Sequence, residues 1–231
     1  MHNEYLYLFK IKKNQIEMAR DRGYDVSHEE EILFMDGNQF LTYMNEKMVT
    51  HDFSDLRATL TQEYRKIGNP QELLYVYYAV LSGSAYLKKD IVTSLGDKLQ
   101  EYRSDGSHIT SAIIISNAVL SPDARVKKED VATATKVHID TFSEAELNIN
   151  PTKHTLTPKH ELVPTEDVEE VLQSIRANKK WLELIEITDP IVRWYGWKDG
   201  DIIKIHRDDS IIDILGPKYF AYRRVYVPHK K

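Results

Sequence analysis

The chain has 231 residues, 42% of them hydrophobic and 29% charged, a balance that supports buried cores in one large or two modest domains and excludes a disordered chain. A net charge of −5 argues against a protein that coats nucleic acid through bulk positive charge, so any such contact must be local. The absence of cysteine excludes disulfide frameworks, thiol catalysis and zinc sites built on thiolates.

Tyr5, Phe9, Ile16 and Ala19 share one helical stripe, and Arg20, Arg22 and Gly23 supply a basic last turn and a left-handed stop. An opening helix is therefore expected. The segment Met1 to Phe9 carries Glu4 and lacks a basic start and a small-residue cleavage pattern, so no secretory leader is expected. Ser27 followed by Glu30 reads as a capping box for a second helix carrying Leu33, Phe40 and Met44. The spacing of Leu56, Leu60, Tyr64 and Ile67 predicts a third helix from about Ser54 to the Gly68-Asn69-Pro70 stop.

Leu73 to Leu81 is a continuous apolar run with tyrosines and valines, the pattern of a strand buried on both faces. It is far shorter than the roughly 20 residues that span a bilayer, so no membrane helix is expected. Ile91, Leu95, Leu99 and Tyr102 then fall at helical spacing, Ser104-Asp105-Gly106-Ser107 makes a turn, and Ala112 to Ser116 is a second buried strand. A strand-helix-strand unit implies parallel strands, with contacts favoured at their C-terminal ends, here the loop Asn117 to Arg125. Thr135 to Asp140 reads as a further strand, and Pro151 marks a domain boundary, giving domains 1–151 and 152–231. Beyond it, Thr165 is placed to cap an amphipathic helix with Val168, Val171, Leu172 and Ile175. Asp189-Pro190 begins a turn or short helix, Ile202 to Ile205 is a strand, and Tyr222 to Val227 closes a small mixed sheet. The fold class is α/β in both domains.

Chemistry-bearing constellations are thin. His154 and His160 offer two imidazoles without the third and fourth ligands that zinc requires, so hydrogen bonding to backbone carbonyls is their expected role. Asp189, Asp199 and Asp201 each lie beside a Pro or Gly, where turns favour Asp, and are not read as a magnesium cluster. There is no glycine-rich phosphate loop and no Gly-x-Ser-x-Gly elbow. Trp181, Trp194, Trp197 and Tyr195 read as core or subunit interface ahead of a base-stacking platform. Arg125-Val126-Lys127-Lys128 follows a strand end and could meet phosphates, the plain alternative being a solvated helix face balanced by Glu129 and Asp130.

His154-Thr-Leu156-Thr-Pro158-Lys-His160 resembles the His-x-Leu-Val-Pro-x-His element of the fifth subunit shared by the eukaryotic nuclear RNA polymerases, whose second domain stands alone as a small polymerase subunit in archaea. Thr157 stands where that element usually has Val. Asp189-Pro190-Ile191, Gly196, Gly200-Asp201-Ile202-Ile203-Lys204-Ile205-His-Arg207 and Tyr222-Arg223 continue the resemblance in order. In the first domain, Phe9-Lys10-Ile11 with Asp21-Arg22-Gly23-Tyr24, Ala112 to Ile115 followed by Leu120-Ser121-Pro122-Asp123-Ala124, and Phe142 with Glu146-Leu147-x-Ile149-Asn150 resemble the eukaryotic form. Leu182-Glu183-Leu184-Ile185 replaces the usual Leu-Pro-x-Ile, Asn45 to Gly68 matches poorly, and Asp208 to Lys218 is longer and more apolar than typical.

The resemblance implies a non-catalytic subunit of a DNA-directed RNA polymerase that needs no cofactor, metal or membrane. Its first domain would be a nuclease-like but inactive jaw near downstream double-stranded DNA, its second an assembly domain docked on the largest subunit. Carried over residue by residue, Ser121, Pro122 and Arg125, with Lys127 and Lys128, become the DNA-proximal set. His154, Pro158, His160, Asp189, Pro190, Arg193, Trp194, Gly196, Gly200, Ile203, Arg207, Tyr222 and Arg223 become the assembly set, with the surface from Trp194 to Ile205 buried against the partner. The place of work would be the nucleus, or the factory or virion of a large DNA virus. Two other readings are a stand-alone regulator that docks on a polymerase, and a metal-dependent nuclease using acids such as Glu72 or Asp90.

Overall fold

A computed structural model describes residues 2–47, 53–79, 86–101, 105–207 and 219–228. Contacts divide the chain into two compact units, Met1–Ile149 and Asn150–Lys231. No helix among the described residues is long and apolar enough to cross a membrane.

The first unit opens with α1 (His2–Asp21), which buries Leu8, Ile11, Ile16, Met18 and Ala19. Gly23, at φ 80°, stops it: Gly23 N–H donates to Arg20 C=O at 2.8 Å and Tyr24 N–H to Ala19 C=O at 3.0 Å. The expected second helix is broken into a 3-10 turn (Ser27–Glu29), α2 (Glu30–Phe34) and α3 (Gly37–Lys47). The Ser27–Glu30 capping box does not form, because Asp25 Oδ1 accepts from Ser27 N–H and neither following helix has a side-chain cap. The reciprocal cap sits instead at Asp36, whose Oδ1 accepts from Gln39 N–H at 2.9 Å while Gln39 Oε1 accepts from Asp36 N–H at 2.8 Å.

The third helix, α4 (Phe53–Leu60), ends about two turns earlier than its spacing predicts. Tyr64 lies in a strand, β1 (Gln62–Lys66), which turns back at Gly68 (φ 85°) to pair antiparallel with β2 (Asn69–Tyr78). A two-residue strand β3 (Tyr86–Leu87) leads into α5 (Lys89–Leu99), followed by β4 (His108–Ser116), β5 (Val119–Leu120), α6 (Pro122–Thr135), β6 (His138–Ser143) and α7 (Glu144–Leu147). The main sheet has order β1-β2-β4-β6, with β2, β4 and β6 parallel, as the strand-helix-strand reading requires. Val80, Leu81, Tyr102 and Ser104, assigned to these elements or turns from sequence, lie outside the described residues. Thr135 belongs to α6 rather than to a strand. That helix ends at Lys136 with φ 58°, and the strand starts three residues later than expected.

Both faces of β2 are buried. Leu73, Tyr75 and Ala79 join Ala112 and Ile114 of β4, Val92 and Leu95 of α5, and Ala124 and Val131 of α6 in one core. Gly96 lets α5 and α6 approach, since a Cβ there would lie 3.1 Å from Val131 Cγ2. Tyr64 and Tyr78 face α1, where Lys12 Nζ lies 5.9 Å from each ring.

Asp140 on β6 is held between Arg22 and His138: Arg22 Nη1 lies 2.9 Å from Oδ2 and His138 Nε2 lies 3.1 Å from Oδ1. Burial pushes this carboxyl up, but the His138 hydrogen bond and the Arg22 charge outweigh it and hold the pKa at about 2. A depressed carboxylate stabilises the fold above its unfolded pKa and stops doing so as pH falls through the folded one. Acidification from about pH 4 to below about pH 2 therefore removes about 2 kcal/mol from the first unit. Urea titrations followed by NMR amide signals of β4 and β6 should show that loss, and Asp140→Asn should flatten it.

The second unit contains β7 (Lys159–Leu162), α8 (Val168–Ser174), β8 (Glu183–Glu186), α9 (Pro190–Tyr195), β9 (Ile202–Arg207) and β10 (Tyr219–Tyr226). Its sheet has order β7-β9-β10-β8, antiparallel except for the β10–β8 pair, which is the small mixed sheet expected from sequence. Alternation along β9 sends Ile203 and Ile205 into a core with Ile185, Ile191, Val192, Trp197 and Val225, and Ile202 into another with Val163, Leu172 and Leu182. Thr165 does not cap α8. It lies in a 3-10 turn (Thr165–Asp167) that feeds the helix, and no side chain bonds the helix start.

Candidate functional site

The residues expected near DNA gather at the start of α6, and the loop that was to carry them is shorter than its sequence suggests. Ser121 is the N-cap, its Oγ accepting from Ala124 N–H at 3.2 Å, and Pro122 occupies the first helical position. Arg125 is thus on the first turn, fully in the helix and exposed. Lys127 and Lys128 are half-buried, and Lys128 Nζ lies 3.2 Å from Glu129 Oε1. Arg125 stands on a solvated helix face, and Glu129 balances part of the cluster's charge.

Sequence reasoning missed two further cations. Strands β3 and β5 pair in parallel, and Ser121 N–H donates to Leu87 C=O at 3.1 Å. That bond sets Lys88 and Lys89, which open α5, beside Ser121 and Pro122, which open α6. Both lysines are exposed. Two adjacent helix N-termini with Lys88, Lys89 and Arg125 make a local positive site, trimmed by Asp90 and Asp123. The only sequence signal was the Lys88-Lys89 pair after an apolar strand, and without the β3–β5 pairing nothing linked it to Arg125.

In the second unit the assembly residues divide by burial. Asp189 caps α9, its Oδ1 accepting from Ile191 N–H at 2.8 Å, and Pro190 follows at the first helical position. Gly196 (φ 68°) ends that helix and Gly200 (φ 87°) turns the chain into β9. Asp201 Oδ2 accepts from Lys198 N–H at 2.7 Å, so Asp189 and Asp201 both serve turns. His160 is half-buried, and its Nδ1 lies 2.7 Å from Pro158 C=O. Burial pushes its pKa down; the Pro158 carbonyl and Asp189 favour its charged form, and Arg223 opposes it. His160, Asp189 and Arg223 are therefore brought within electrostatic reach of one another. His154 is exposed and accepts from Leu156 N–H at 3.2 Å, a backbone amide rather than a carbonyl. Arg193 is half-buried and Arg207 exposed. Tyr222 packs against the Leu172–Ile202 core, and Arg223 Nη2 lies 3.1 Å from Glu183 Oε2.

The Trp194 to Ile205 stretch is not a free surface. Trp194 is 1% exposed, Ile203 0% and Ile205 3%, and the two isoleucines are core residues of their own sheet. Tyr195 stacks on the buried Trp197 at 4.5 Å, while Trp181 stands apart at 82% exposure. The three tryptophans do not form one platform.

Among the described residues no three His, Asp or Glu side chains converge as a metal site. Glu72 pairs in register with His108 at the start of β4, whereas Asp90 lies in the first turn of α5, whose preceding strand β3 pairs with β5 beyond the other end of β4, so these two acids lie toward opposite ends of the parallel strands.

Residues 2–83 match the family model of the RNA polymerase Rpb5 N-terminal domain, and residues 149–225 match that of the Rpb5 C-terminal domain. The set expected near DNA lies between the two matched stretches. Curated relatives extend across it. The chain is 27% identical over 225 residues to DNA-directed RNA polymerase subunit 5-like protein 1 of Arabidopsis thaliana, covering 96% of this chain and 97% of the relative. It is 26% identical over 218 residues to the DNA-directed RNA polymerases I, II, and III subunit RPABC1 of Caenorhabditis elegans, and 27% over 218 residues to the corresponding subunit of Dictyostelium discoideum. Each of those alignments covers 94% of this chain and 95% of the relative.

Proposed function

Because the chain belongs to the Rpb5 family of RNA polymerase subunits, we propose that it is a non-catalytic core subunit whose first unit approaches downstream duplex DNA and whose second unit docks on the largest subunit. The observation that carries this reading is the pair of family matches in chain order, with relatives spanning almost the whole chain. The subunit acts by positioning. Contacts to phosphates hold a duplex without reading its sequence, which suits a machine that moves along any template. The cations at the starts of α5 and α6 supply such contacts, and helix N-termini add partial positive charge. In the second unit, Asp189, Gly196, Gly200, Trp194 and Ile203 shape the docking domain from within. His154, Pro158, His160, Pro190, Arg193, Arg207, Tyr222 and Arg223 are left to touch the partner. The subunit works wherever its polymerase transcribes, in the nucleus or in a viral factory.

Affinity isolation of the tagged full chain, with each co-purifying polypeptide quantified, tests the assignment. Equimolar recovery with the two largest polymerase subunits through a high-salt wash supports a core subunit. Trace recovery lost on washing points to a dissociable regulator, and metal-dependent cleavage of DNA by the free chain points to a nuclease. Arg125→Glu combined with Lys127→Glu should lower the affinity of the assembled enzyme for downstream duplex about 10-fold at moderate salt. It should also reduce the salt slope by about 1 to 2, with subunit stoichiometry unchanged. Equal loss of assembly would remove these residues from the DNA surface.

A further inference from the structure

The connection from α8 to β8 is built as a rigid display. Arg176, at φ 51°, ends the helix, with Ala177 N–H donating to Leu172 C=O at 3.0 Å. Asn178 Oδ1 then accepts from Lys180 N–H at 3.0 Å, and Trp181 N–H donates to Asn178 C=O at 2.8 Å. Ala177 and Leu182 anchor both ends in the core formed with Leu172 and Ile202. On this frame Arg176, Lys179, Lys180 and Trp181 are all exposed, Trp181 with 82% of its surface in water. The chain's other two tryptophans are 1% and 8% exposed. None of the three cations has a carboxylate within ion-pair distance among the described residues, in a chain whose net charge is −5.

An indole held in water by an ordered loop forgoes the burial that dominates aromatic energetics. Covering it costs little further ordering entropy, which is the condition for a binding hot spot. We propose that Arg176, Lys179, Lys180 and Trp181 form a docking site for a short acidic protein segment carrying an apolar residue, contributed by another polypeptide of the polymerase. The three cations pair its carboxylates while the apolar residue caps the indole. A nucleic acid strand fits less well. Exposed Glu183 follows Trp181 by two residues, and a backbone with a charge on every nucleotide would run onto it. The proposal rests on the chain being a polymerase subunit and is independent of the DNA contact.

Its test uses the full chain with Trp181→p-benzoylphenylalanine, assembled into its polymerase, with stoichiometry recorded on the same sample. Ultraviolet crosslinking should join position 181 to one polypeptide segment containing at least two Asp or Glu residues, identified by mass spectrometry. Adding Lys179→Glu and Lys180→Glu should cut that crosslink at least 10-fold at unchanged stoichiometry, and Lys179→Arg with Lys180→Arg should retain it. A crosslink to DNA or RNA, a crosslink to a segment without acidic residues, or no crosslink at all in an equimolar complex overturns the site alone. Failure of the unsubstituted chain to co-purify with polymerase overturns the site and the subunit assignment together.

Discussion

Ile203→Asp abolishes the folded state of residues 150–231 while leaving the first unit intact. Ile203 is 0% exposed in the middle of β9, opposite Leu162 on β7 and Arg223 on β10, and packs with Ile205, Val192, Trp197 and Val225. A carboxylate there has lost its water and gains no partner inside the core. Even its neutral form leaves polar atoms unsatisfied, so the cost is about 4 kcal/mol or more, comparable to the whole stability of an 80-residue unit. All three tryptophans of the chain lie in this unit, two of them buried, so their emission should shift to the red as the core opens. Near-ultraviolet dichroism from the tyrosines of the first unit should persist. Unshifted tryptophan emission would mean that β9 is not an inner strand of this sheet. Exclusion from the polymerase should accompany the loss, because the frame that orients Asp189, Tyr222 and Arg223 goes with it.

Where hydrophobic pattern and burial agree, the sequence was readable. The continuous apolar run of β2 and the Ile-rich β4 are buried on both faces, and α1, with its Gly23 stop, and β9, opened by Gly200, are where their punctuation puts them. The failures have a common cause: elements that bury too little to leave a pattern. Strand β1 buries Tyr64 alone, so its polar residues carried no alternation. The four-residue spacing from Leu56 through Leu60 to Tyr64 imitated a continuing helix, and Ile67, which falls in line with it, is 65% exposed on the turn. Helix α6 buries Ala124 and Val131 and leaves Val126 63% exposed, so only Ser121-Pro122-Asp123 announced it. Its end at Lys136 uses a left-handed residue that is not glycine, a stop with no sequence signature.

The candidate sites followed the same division. Caps and turns such as Asp189-Pro190, Gly196 and Gly200 are local chemistry and were legible as such. Whether Trp194 and Ile203 face a partner or their own core is a tertiary matter, because interface cores and domain cores have the same composition. Resemblance supplied their association with assembly, and packing then restricted how they can serve it. Lys88 and Lys89 became relevant only once β3–β5 pairing set them against Ser121, a contact across more than thirty residues of chain.

Among the described residues of the first unit, Lys12, Gln15, Glu29 and Tyr64 form a buried polar cluster that hydrophobic patterning could not have found. Lys12 and Gln15 of α1, Glu29 of the 3-10 turn and Tyr64 of β1 are each at most 3% exposed. Lys12 Nζ lies 2.9 Å from Glu29 Oε2, donates to Gln15 Oε1 at 2.9 Å and to Leu60 C=O at 3.1 Å, and Tyr64 donates its hydroxyl proton to Glu29. Burial pushes the Lys12 pKa down and Glu29 opposes that, while burial and Glu29 together push the Tyr64 hydroxyl well up. The charges are tolerable only as a set. Glu29→Leu leaves an ammonium without its counter-ion in the core and should cost about 3 to 5 kcal/mol. Lys12→Met added to Glu29→Leu removes both charges and should recover at least half of that loss. The remainder comes from the Leu60 carbonyl and the Gln15 amide that Lys12 had satisfied. Urea titration of the full chain, followed through amide signals of α1 and β1, measures the cycle. Additive losses in the double variant would mean that the two groups do not interact, and the cluster could not then be what fixes α1, the 3-10 turn and β1 to one another.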